Sequence, residues 1–108
     1  MTHPRCTFCG RRDPSPVVWR CRPFRLRDAH GVFDAPDVWL ACPVCTTHVE
    51  ANNLDALTDR LSTSLAAARQ ARTGQAPDLR VIEPEALVVL AAFLAMRDEH
   101  PTEQEPQA

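Results

Sequence analysis

Two cysteine pairs at matched spacing constrain this chain more than any other feature. Cys6-Thr7-Phe8-Cys9 and Cys42-Pro43-Val44-Cys45 are both C-x-x-C hooks, separated by 32 residues. A hook of this spacing turns both thiols to one side, and two hooks supply the four thiolates of a tetrahedral zinc centre. The predicted Zn2+ ligands are therefore Cys6, Cys9, Cys42 and Cys45. With every position taken by sulfur, the ion keeps no place for water, so the centre reads as structural. A chain of 108 residues buries a limited core, and small scaffolds commonly lean on a metal or a partner.

The fifth thiol, Cys21, reads as a small apolar residue on a strand face rather than a substitute ligand. His48 lies one helical turn beyond Cys45 and reads as a surface group or a donor to a sulfur. His30 falls in a loop with Asp28 and Asp34, and His3 in a short tail. Met1-Thr2-His3-Pro4 leads straight into a hook with no apolar leader, which predicts a cytoplasmic protein with reduced thiols. The longest apolar run, Ala86 to Met96, is shorter than the roughly 20 residues that span a bilayer. No membrane association is expected.

The remaining pattern predicts a small α+β zinc-bound domain. Gly10 allows the tight turn after the first hook. Val17 to Leu26 alternates apolar and basic residues and reads as a strand, with Pro23 bending or ending it. Asp28 to Asp37 reads as a loop, and Val38 to Ala41 as a second strand delivering Cys42. Trp19 and Trp39 fall at matching places and read as a cross-strand core pair. Pro43 suits the first turn of a helix running to about Ala51. Asn52 suits a left-handed stop, and Asn53 the cap of the next helix. Leu54, Leu57, Leu61, Leu65 and Ala68 recur at helical spacing, predicting a helix to about Arg72 that stops at Gly74. Leu79 to Ile82 reads as an extended link, and Pro84 as the start of a last helix to about Glu99. The expected organisation is a zinc-binding module over 1–52, a two-helix extension over 53–99 and a disordered acidic tail over 100–108.

The order of knuckle, hairpin and helix resembles treble-clef zinc modules. Cys6-Thr7-Phe8-Cys9-Gly10 and the second hook opening a helix resemble the N-terminal zinc-binding domain of ClpX-type unfoldases, over roughly residues 6–52. That likeness implies dimerisation and capture of adaptors. Phe8-Cys9, Val18-Trp19, Trp39 to Glu50 and Asp55-Ala56-Leu57-Thr58-Asp59-Arg60 also resemble small actinobacterial and phage-associated C-x-x-C…C-x-x-C proteins. That likeness implies a fold and brings no activity.

Charge and apolar surface carry the functional reading. Residues 1–27 hold seven Arg and one acid, a net +6, whereas residues 28–108 hold five Arg and thirteen acids, a net −8. Lys is absent, a mark of GC-rich bacterial coding. Arg20, Arg22, Arg25 and Arg27 form a basic strip suited to an acidic partner surface or to phosphates. The last helix is apolar all round over Ala86 to Met96, so Leu87, Leu90, Phe93 and Leu94 are candidates for an interface with another protein or a second copy. No catalytic constellation is present, and a treble-clef nuclease would need more than His30 and His48. The expectation is a non-enzymatic adaptor or regulator, with nucleic-acid binding through the Arg strip as the alternative.

Overall fold

The computed structural model describes residues 3–28 and 31–102. Four strands and three helices follow in the order β1 (Val17–Arg20), β2 (Arg25–Asp28), β3 (Gly31–Asp34), β4 (Val38–Ala41), α1 (Pro43–Glu50), α2 (Leu54–Thr73) and α3 (Leu79–Met96). The class is α+β, with two antiparallel two-stranded sheets, β1–β4 and β2–β3.

The second sheet is nested inside the connection of the first, where the sequence pattern indicated one long strand and a loop. Val17 to Leu26 is not continuous, because β1 ends at Arg20 and β2 begins at Arg25. Pro23 has no N–H to offer a ladder. The neighbouring amides turn elsewhere, Cys21 N–H donating to the Asp37 carbonyl at 2.9 Å and Arg22 N–H to the Met96 carbonyl at 3.0 Å. The chain then folds back on itself, pairing Leu26 with Phe33 and Arg27 with Val32. In the outer sheet Trp19 stands opposite Trp39, and both are buried. That pair forms as the alternation indicated.

The helix signals were mostly sound. Cys42 caps α1 and Pro43 opens it. Asn52 takes the left-handed conformation with φ 51°. Asn53 caps α2 by accepting from Ala56 N–H, and Gly74 ends α2 in the left-handed region. α3 departs from expectation. It begins at Leu79, so Pro84 lies inside it, and it ends at Met96. The Asp78 side chain supplies the cap, accepting from Arg80 N–H at 2.9 Å. Ile82 is fully buried, and its burial favours a helix that starts upstream of the proline. A proline this near the N-terminus removes only one helical hydrogen bond.

One core joins the hooks to the helices. The Trp39 ring lies 4.5 Å from that of Phe93 and 5.7 Å from that of Phe8. Leu57 and Leu61 from α2 and Ala86, Leu90 and Phe93 from α3 are buried in the same cluster as Phe8, Trp19 and all of Cys6, Cys42 and Cys45. Beyond α3 the chain runs along the free edge of β1. Arg97 bridges to Cys21 and Thr102 to Val18, with Thr102 N–H on the Val18 carbonyl at 2.8 Å. The first residues of the expected tail, to Thr102, thus lie along β1, whose open edge offers backbone partners. Residues 103–108 lie outside the described residues.

Candidate metal centre and apolar groove

Backbone hydrogen bonding shapes each hook. Cys9 N–H points back at Cys6 Sγ, and Cys45 N–H at Cys42 Sγ, each at 3.5 Å. Gly10 N–H closes the first turn on the Cys6 carbonyl at 2.9 Å, with Gly10 at φ +75°. Thr7 then docks this knuckle against β4. Its N–H donates to the Leu40 carbonyl at 2.7 Å, and its Oγ1 accepts from Leu40 N–H at 2.9 Å. Because β4 runs directly into Cys42, this clamp brings the hooks face to face.

The sulfurs of Cys6, Cys9, Cys42 and Cys45 all lie within 4.8 Å of one another. None is in a disulfide. Cys9 Sγ and Cys42 Sγ are 3.8 Å apart. A tetrahedral centre with metal–sulfur bonds of about 2.3 Å sets its sulfurs about 3.8 Å apart. The four residues could therefore hold a metal ion. Cys6, Cys42 and Cys45 are buried, and Cys9 is half-buried.

The thiols are electrostatically interdependent. A hydrogen bond from the Cys45 thiol draws Cys6 down to about 4, against the opposing effect of burial. The same contact, and then burial, push Cys45 up. A cation also reaches the cluster. Arg60 Nε–H donates to Cys45 Sγ at 3.1 Å, and that bond chiefly holds the guanidinium above its usual range.

Cys21 stays outside the cluster. It is 5% exposed, its Sγ contacts the Arg22 carbonyl at 3.3 Å, and burial first, then Asp98, raise its thiol. His48 is half-buried and does not belong to the four-sulfur group. His30 lies outside the described residues.

The proposed binding residues separate in space. Arg20 belongs to the outer sheet, and Arg25 and Arg27 to the inner hairpin, so they do not share one strand. Arg20, Arg22, Arg25 and Arg27 are all exposed. Arg25 pairs with Asp34 at 2.6 Å; Arg20, Arg22 and Arg27 carry no ion pair among the described residues. On α3, Leu90 and Phe93 are fully buried in the core and Leu94 is half-buried, which leaves Leu87 as the exposed member of that set.

A groove of about 760 Å³ runs between the inner hairpin and the two long helices. Leu26, Phe33 and Pro36 form one wall, and Leu61, Leu65 and Val89 the other. Arg27 and the Arg69–Glu85 pair, 2.9 Å apart, supply its polar rim. The groove was not legible in the sequence, because the wall it needs comes from a hairpin that reads as a loop. Arg60 was legible only as the last member of the D-x-L-x-x-R pattern, where nothing marked it as a neighbour of sulfur. No helix among the described residues is long and apolar enough to cross a membrane. The chain matches no protein-family model, no curated protein and no solved structure at a significant level.

Proposed function

We propose that this chain is a non-enzymatic, zinc-stabilised module of treble-clef type that binds an apolar segment of another protein. The groove carries this reading. Its apolar walls continue onto an uncharged, exposed stripe of α3 formed by Pro84, Leu87, Val88, Ala91 and Ala95. Phe33 is 39% exposed and Val88 53%, although both line a concavity. Continuous apolar surface of this kind marks interaction sites in proteins of this size. Arg27 at the rim favours an occupant with an acidic flank, since charge complementarity sets orientation and association rate. Zinc is the metal that suits four thiolates at this spacing. Its part is to fix the N-terminal knuckle against the end of β4 and the start of α1.

Capture from the native cell tests the reading. A photo-crosslinking side chain at Val88 should trap one partner, whereas the same group at Val44, exposed on α1, should not. Phe33→Asp and Val88→Asp should abolish capture while leaving the fold intact by circular dichroism. Equal capture by both variants would refute the groove, and crosslinks to the chain itself would make the occupant a second copy.

Exposed Arg20, Arg22 and Arg27, which carry no ion pair among the described residues, support the nucleic-acid reading as a second proposal. Labelled DNA or RNA should then shift at low salt and release steeply as salt rises. Absence of any shift at low salt would end it.

A further inference from the structure

We infer that Arg60 is an outer positioning residue of the four-sulfur centre, holding the Cys45 thiolate quiet so that the metal is retained. The inference rests on the metal reading and begins with how the hooks distribute their donors. In each hook the third N–H downstream returns to the first sulfur, Cys9 N–H to Cys6 and Cys45 N–H to Cys42. The next amide in each hook is already used. Gly10 N–H is spent on the Cys6 carbonyl at 2.9 Å and Thr46 N–H on the Cys42 carbonyl at 2.8 Å. Among the described residues, backbone N–H groups reach the first sulfur of each hook and none donates to the second, Cys9 or Cys45. Arg60 fills that gap from α2. Its Nε–H meets Cys45 Sγ at 3.1 Å.

Two physical consequences make this more than a contact. A dication on four thiolates carries a formal charge near −2, and a half-buried site is costly unless a cation offsets it. A hydrogen bond to a thiolate also draws charge from sulfur and lowers its nucleophilicity. Arg60 does not drift to this place. Leu57 and Leu61 on the same helix are both buried in the core, so the side chain starts from a fixed backbone. Among the described residues it is the only side-chain cation with a hydrogen bond to a cluster sulfur.

The test compares zinc-loaded wild type, Arg60→Met, Arg60→Lys and the control Arg72→Met, exposed in the last turn of α2, with metal content measured first in each. Competition with a chromogenic chelator should show zinc bound about 10–100-fold more weakly in Arg60→Met, the usual loss when an outer-shell partner is removed. Treatment with iodoacetamide then reads sulfur reactivity directly. Alkylation forms a sulfur–carbon bond, expels iodide and frees the metal for the indicator. Arg60→Met should release zinc faster than wild type, with mass spectrometry placing the excess label on Cys45. Arg60→Lys should fall between them, and Arg72→Met should match wild type. Equal affinity and equal label on Cys45 in wild type and Arg60→Met would overturn the inference. Should Arg60→Met not fold, a wild-type release rate in Arg60→Lys would overturn the role of the guanidinium. A wild type that takes up no metal at all would overturn the metal reading, and this inference with it.

Discussion

The Arg97 guanidinium stacks 5.0 Å over the Trp19 ring while donating to the Val49 carbonyl at 3.1 Å and to Asn52 Oδ1 at 3.0 Å. One side chain thus ties the exit of α3 to β1 and to the turn between α1 and α2. Arg97→Ala should cost about 2–4 kcal/mol, combining lost charged hydrogen bonds with a lost cation–π contact. Arg97→Lys should recover less than half, since a compact ammonium cannot stack and bridge two acceptors together. Urea unfolding at saturating zinc measures both; a loss below about 0.5 kcal/mol in the alanine variant would show that Arg97 is not a fastener.

Gly10 has two reasons to lack a side chain. Its φ is +75°, and an added Cβ would come within 2.7 Å of Ser64 Oγ. Gly10→Ala should destabilise by about 1–2 kcal/mol from backbone strain, plus whatever the Ser64 contact adds. Ser64→Ala in the same background should restore only the second part. A double-mutant cycle on melting temperature separates them, and full recovery would mean that the backbone conformation carries no cost.

Metal dependence should follow the hooks and ignore the fifth thiol. Wild type and Cys21→Ser should each bind one zinc per chain, whereas Cys9→Ser and Cys42→Ser should bind it far more weakly. Chelation should unfold the protein or lower its melting temperature sharply, because an ion held by the four cysteines would link the knuckle to β4 and α1. Cobalt substitution gives an independent readout, through the sulfur-to-metal absorption bands of a tetrahedral thiolate site. Loss of binding in Cys21→Ser would place that residue among the ligands.

Cys21 also predicts a pH dependence. Burial, with Asp98 second, raises its thiol in the folded chain, whereas the unfolded chain ionises near an ordinary value of about 8.5. Below that value both states are protonated, and the site contributes its full packing. Above it the unfolded state loses a proton that the folded state keeps, so stability falls as pH rises. The stability advantage of wild type over Cys21→Ala should therefore shrink between pH 7.5 and pH 9.5. A constant difference would show that the thiol is not shifted.

Two leucines three residues apart on α3 should behave differently. Leu90 is fully buried, and Leu87 is 41% exposed. Leu90→Ala should cost about 2–5 kcal/mol through the cavity it leaves, and Leu87→Ala less than about 1 kcal/mol. If Leu87→Ala instead unfolds the protein, the exposed stripe of α3 is not free surface.

The parts of this structure that were readable in the sequence are those set by local chemistry. Paired cysteines, Asn53 as a cap, Gly74 as a stop and the leucine repeat of α2 each act within a few residues. What escaped depended on tertiary competition. The strand through Leu26 failed because Asp37 and Met96 took the amides around Pro23. Pro84 looked like a helix start, but the Asp78 cap and buried Ile82 set the start upstream of it. An unbroken apolar run cannot reveal which of its residues face inward, so Leu90 and Phe93 were indistinguishable from Leu87. Arg60 reads as a solvated helix residue until α1 and α2 are packed.

The narrow neck where Cys21 N–H meets the Asp37 carbonyl at 2.9 Å divides the chain into parts with different freedom to change. The exposed hairpin residues Arg27, Val32 and Phe33 can change without moving the register of β1 and β4, whereas Phe24 and Ala35 pack on the core and the Pro36 carbonyl accepts from Trp39 Nε1 at 2.8 Å. That loop builds one wall of the groove, and α2 and α3 build the other on the shared core. Substitutions at these exposed positions are thus confined to one bank of the cleft. If the groove is the binding site, exchanging Val32 and Phe33 alone should change what it accepts and leave the four-sulfur cluster in place.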